Sequence, residues 1–133
     1  MNTERKKYID QFLEDVYLKQ YYDTSHPKNV CICGRLAYLD EMLYMESMIN
    51  ILTESDVAFA PLPLNCETRK RLVESGCSEE ESQEILQKIH NTKIDISEIV
   101  IICNFDYIGE HTRREIQYAE SNNKLVLYLK PVE

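Results

Sequence analysis

Ile99-Val100-Ile101-Ile102-Cys103 is a run of apolar residues rich in β-branched side chains, with no alternation between apolar and polar. Such a run fits a strand covered on both faces, as in a parallel sheet flanked by helices. The segments on either side support that reading. Upstream, Ser78-Glu79-Glu80-Glu81 is a capping box that opens a helix, and Ile85, Leu86, Ile89 and Ile96 carry it toward residue 96. Downstream come a loop from Asn104 to Gly109, a helix over 112–122 and a last strand from Leu125 to Leu129.

The same alternation extends toward the amino terminus. Val30-Cys31-Ile32-Cys33, ending in Gly34, reads as a buried strand. Tyr38, Met42, Met45, Ile49 and Leu52 step at helical spacing. Val57-Ala58-Phe59-Ala60 is a further strand ended by Pro61, and a short helix over 67–75 closes at Gly76, where a left-handed cap suits glycine. The order predicts an α/β domain with a doubly wound parallel sheet of about four strands and right-handed crossovers.

One more helix precedes this pattern. Ile9, Phe12, Leu13 and Val16 recur at helical spacing within 3–22, and Asp23-Thr24-Ser25-His26-Pro27 then breaks the segment. The expected organisation is a single domain over 1–133. Residues 1–24 form a helical appendage, packed on the domain or on a partner subunit, and residues 29–130 form the core.

Composition narrows the function classes. A chain of 133 residues that is 44% hydrophobic and 29% charged is globular rather than disordered. Its net charge of −8 repels a phosphate backbone, so polymeric nucleic acid is not an expected partner, although a local basic spot can hold one small anion. The opening residues lead into no apolar stretch of signal-peptide length and no segment resembles a membrane span, so the expected location is the cytoplasm. Cys31, Cys33, Cys66, Cys77 and Cys103 show no CxxC spacing, and His26, His90 and His111 are scattered. The cysteines read as small buried hydrophobes, with Cys31 and Cys33 on one side of the sheet, and neither a metal site nor a cofactor is expected.

In an open parallel sheet a ligand lies beyond the carboxyl ends of the strands, where strand order reverses. That rule selects Gly34-Arg35 after the first strand and Asn104-Phe105-Asp106-Tyr107-Ile108-Gly109 after the third. Arg35 has two readings, a bidentate grip on a phosphate or carboxylate and a surface salt bridge. Glu115 also has two: the last member of a Thr112-Arg113-Arg114-Glu115 capping box, or a carboxylate at the cleft mouth that attacks a sugar carbon or stabilises positive charge there. His111 is a loop histidine or an acid–base group, and Cys103 a buried strand terminus or a thiolate.

Residues 90–102, which run His90-Asn91-Thr92-Lys93-Ile94-Asp95-Ile96 into the third strand, carry a resemblance together with Tyr107-Ile108-Gly109-Glu110-His111-Thr112-Arg113-Arg114-Glu115-Ile116-Gln117-Tyr118-Ala119. They resemble the nucleoside 2-deoxyribosyltransferase-like superfamily, and most of all a small bacterial and phage branch. Cys31-Ile32-Cys33-Gly34-Arg35 and the close at Asn123-Lys124 are similar to that family's opening and closing strand segments. The resemblance implies a flavodoxin-like sheet of strand order 2-1-3-4 and a nucleoside or nucleotide ligand contacting Gly34, Arg35, Asn104, Tyr107, Gly109 and Thr112. It implies N-glycosidic chemistry with Glu115 as nucleophile and Asp95 near the sugar. Its enzymes are usually homodimers or larger. The established transferases carry an aspartate six residues before the glutamate, where this chain has Gly109, so Asp106 or His111 would handle the proton.

Overall fold

The computed structural model describes residues 1–62 and 66–132. Four strands form one sheet: β1 (Asn29–Gly34), β2 (Val57–Phe59), β3 (Ile99–Cys103) and β4 (Leu125–Tyr128). Their order is β2-β1-β3-β4 and every pairing is parallel. The two apolar runs are adjacent at the centre, in register from Val30 opposite Ile99 to Gly34 opposite Cys103. The sheet is flavodoxin-like and doubly wound.

The α-helices among the described residues are α1 (Thr3–Phe12), α2 (Leu39–Thr53), α3 (Cys66–Glu74), α4 (Glu79–Asp95) and α5 (Glu110–Ser121), with α3 packed on α4 and the others on the sheet. Because successive strand residues point to opposite faces, β3 feeds two cores. Ile99, Ile101 and Cys103 join Val30, Ile32 and Leu127 under α1 and α2. Val100 and Ile102 join Cys31 and Cys33 under Ile94 of α4 and Ile116 and Ala119 of α5. Among the described residues, no helix is long and apolar enough to cross a membrane.

Local chemistry sets the element ends. The hydroxyl of Ser78 accepts from the Glu81 amide at 3.1 Å and Glu81 reaches back to the Ser78 amide, so the expected capping box is present. Gly76 adopts φ +94°, the left-handed conformation that glycine tolerates best. The helix expected over 112–122 begins earlier, at Glu110, with Gly109 as its N-cap. Thr112 therefore lies inside α5, and the proposed Thr112–Glu115 capping box does not exist.

The first helix packs on the domain's own core. Its continuation over Leu13–Tyr21 is wound more widely, in π-type turns. Ile9, Phe12, Leu13 and Tyr17 are all buried in the same cluster as Val30, Ile101 and Leu127. The Tyr17 hydroxyl donates to Asp56, which also accepts from the Lys28 amide at 2.9 Å, so the helix is tied to the segments leading into β1 and β2. The apolar face that suggested a subunit contact is used within the chain. Cys31, Cys33 and Cys103 are buried as expected, Cys77 is half-exposed, and the Cys66 side chain lies outside the described residues.

Candidate functional site

Beyond the carboxyl edge of the sheet, a cleft of about 200 Å³ opens beside α4 and α5. Leu36, Pro61, Leu62, Leu86 and Ile89 make its walls apolar, while Gln87, His90, Lys93, His111 and Glu115 supply polar groups. Gly34 lies at its edge for a packing reason. A Cβ there would meet Cys103 Cβ and Met42 Sδ at 3.0 Å, so a side chain at this position would push β3 or α2 back by a few tenths of an ångström.

Glu115 projects from the second turn of α5 and is only 8% exposed. Its Oε2 accepts from Gln87 Nε2 at 3.2 Å and lies 3.3 Å from His90 Nε2. Burial pushes its carboxyl above the ordinary glutamate range, against the charges of His90 and His111 and the Gln87 hydrogen bond. His111 stands one turn earlier on α5 and faces the same cleft. Burial disfavours protonated His90. The Cys31 hydrogen bond and charge, together with the Glu115 charge, outweigh it and hold the imidazole above its usual value.

That raised carboxyl has a consequence for stability. A carboxyl whose pKa is higher folded than unfolded takes up a proton on folding between the two values, so its ionised form costs stability above them. Glu115→Gln is therefore expected to melt at or above the wild-type temperature at pH 7–8. The gain should shrink as pH falls toward the unfolded value of ~4.3. Melting curves across that range check this, and a gain that grows on acidification would contradict it.

The remaining predicted site residues lie elsewhere. Asp95 ends α4, which runs back from the carboxyl edge, so it sits at the opposite edge of the sheet and bonds the Tyr118 hydroxyl. Asn104 is buried and clasps the Lys130 backbone, donating at 3.0 Å and accepting at 2.9 Å. Asp106 pairs with Arg35 at 2.7 Å. The Tyr38 hydroxyl and that guanidinium hold its carboxyl below the usual range. Arg35 also lies 4.3 Å from the ring centre of Tyr107, so its surface salt-bridge reading is the one observed. Asn104, Asp106 and Tyr107 border a separate cavity with Arg113 and Lys130. Gly109 caps α5 and Thr112 is buried within it. Burial pushes Cys103 up to about 12, which leaves it a poor nucleophile.

Spacing arguments had not found Gln87, His90 or Lys93. They recur at three-residue intervals on one face of α4, and that periodicity was the available signal. Lys93 donates to the Ala60 carbonyl at 2.7 Å and so anchors the end of β2 beside the cleft. His90 Nε2 also lies 3.1 Å from Cys33 Sγ and 3.6 Å from Cys31 Sγ. No protein-family model matches this chain, and no curated protein matches it in sequence.

Proposed function

We propose that the cleft binds a deoxynucleoside or its 5′-monophosphate and that Glu115 cleaves the N-glycosidic bond. The observation that carries this reading is a nearly buried carboxylate on the cleft floor at the switch point of a parallel sheet. Glu115 caps no helix, and its partners Gln87 and His90 orient it toward the cleft. The apolar walls suit a flat base.

The ionised Glu115 attacks the anomeric carbon, forming a glycosyl ester while the bond to the base nitrogen breaks. The departing base takes a proton from His111, which lines the cleft one turn before the nucleophile on α5. Asp106 is withdrawn from that role by its pairing with Arg35 on the other side of the loops. Water then cleaves the ester, giving hydrolysis, or a second base accepts the sugar, giving transfer. The test is release of free base from a panel of deoxynucleosides and their monophosphates. Micromolar binding without turnover would assign the cleft to ligand sensing.

The family resemblance also implies a homo-oligomer, with a neighbouring subunit closing each cleft. Light scattering should then show a dimer or larger, and a monomer at high concentration would remove this part of the proposal.

A further inference from the structure

Three ligand atoms converge where α4 and α5 cross β1, with a carboxylate beside one of them. Around His90 Nε2 stand Cys33 Sγ at 3.1 Å, Glu115 Oε2 at 3.3 Å and Cys31 Sγ at 3.6 Å. Cys31 and Cys33 are fully buried, and His90 and Glu115 are 6% and 8% exposed. A single imidazole nitrogen makes one hydrogen bond, as donor or acceptor, so it cannot satisfy three such neighbours. The thiol and imidazole ligand atoms of Cys31, Cys33 and His90 lie within 4.8 Å of one another.

We propose that Cys31, Cys33 and His90 bind one thiophilic divalent cation of the zinc class, with Glu115 as fourth ligand on the cleft side. Bond lengths of ~2.3 Å to sulfur and ~2.0–2.1 Å to nitrogen and oxygen place tetrahedral ligand atoms about 3.5 Å apart for S and N, and about 3.3 Å for N and O. The Cys31 distance to His90 matches, Cys33 needs to withdraw by about 0.4 Å, and Glu115, which stands outside the group of atoms within 4.8 Å of one another, must swing toward the thiols to complete the shell. Two sulfurs with one nitrogen and one oxygen select Zn²⁺ or Co²⁺ over Mg²⁺ and Ca²⁺, which prefer all-oxygen shells. The ion reaches the thiols from the cleft, past His90 and Glu115, and each thiol gives up its proton on binding.

The site lacks one support. His90 Nδ1, which must carry the ring proton once Nε2 binds metal, is buried with no hydrogen-bond partner among the described residues. Affinity should therefore fall about 10–100-fold below that of a site with an outer acceptor. This inference stands independently of any action of Glu115 on a sugar.

The test is titration of the reduced, metal-free protein with Co²⁺, followed optically. The expected result is a thiolate-to-cobalt charge-transfer band that saturates at one equivalent and is displaced by Zn²⁺ but not by Mg²⁺. Cys33→Ala and Cys31→Ala should each weaken binding by about 100-fold or more. Glu115→Gln should keep the thiolate band with weaker binding, and Cys77→Ala should change nothing. X-ray absorption of the zinc-loaded wild type should show two sulfurs and two lighter ligands, a readout that does not depend on how the variants fold. A missing thiolate band, or a zinc shell without sulfur, would overturn the assignment.

Discussion

Glu115→Gln is expected to yield a folded protein that fills its cleft with ligand and releases no free base. The substitution keeps shape, and its carbonyl still accepts from Gln87 Nε2, now 3.2 Å from the carboxylate. What it loses is the ionised oxygen that must bond to the anomeric carbon. Removing a covalent nucleophile lowers turnover by several orders of magnitude. A lost helix cap would cost only ~1 kcal/mol of stability, and Glu115 caps nothing here. Activity and melting are thus expected to separate completely. The assay is best run with a chelator present, since a cation held by Cys31, Cys33 and His90 would engage the same carboxylate. Wild-type turnover that survives unchanged in the variant would end the nucleophile assignment.

The second large effect concerns the first helix. Removing residues 1–24 should abolish cooperative folding of the remainder. Ile9, Phe12, Leu13 and Tyr17 fill the core beneath α1 and α2, and all four are buried. Truncating one large buried aliphatic or aromatic side chain costs ~2–5 kcal/mol, so losing four removes an amount comparable to the whole ~5–15 kcal/mol that holds a typical domain folded. The point variant Leu13→Ala should still fold and melt roughly 10 °C lower or more. A shortened chain that melts cooperatively at the wild-type temperature would show that the helix is dispensable.

The sheet was legible because β1 and β3 are apolar on both faces, a local property that survives without knowledge of what covers them. Gly76 and the Ser78–Glu81 box were legible for the same reason, since each acts within a few residues. At the site, Glu115, His111 and Gly34 could be placed on the cleft from the switch-point rule. His90 could not, because its role depends on how α4 lies across β1, bringing it to cysteines 57 and 59 residues away in sequence. Asp95 was misplaced because the last turn of a crossover helix returns to the edge opposite the ligand. Asn104 and Asp106 have the chemistry of ligand contacts, yet Lys130 and Arg35 already occupy them.

The packing of α1 sets an order of events during synthesis. Its neighbours include the segment at the far end of the chain: Tyr8, Phe12 and Val16 face Tyr128 and Leu129, and Lys130 Nζ lies 5.4 Å from the centre of the Tyr8 ring. At ~5–20 residues per second, a ribosome takes roughly 6–24 s to add the intervening residues. During that interval α1 can dock only on the earlier part of its seat, formed by Val30, Ile32 and α2, while the strip that faces Tyr128 and Leu129 stays open. The seat of this helix is therefore completed only when β4 and the residues after it have been made.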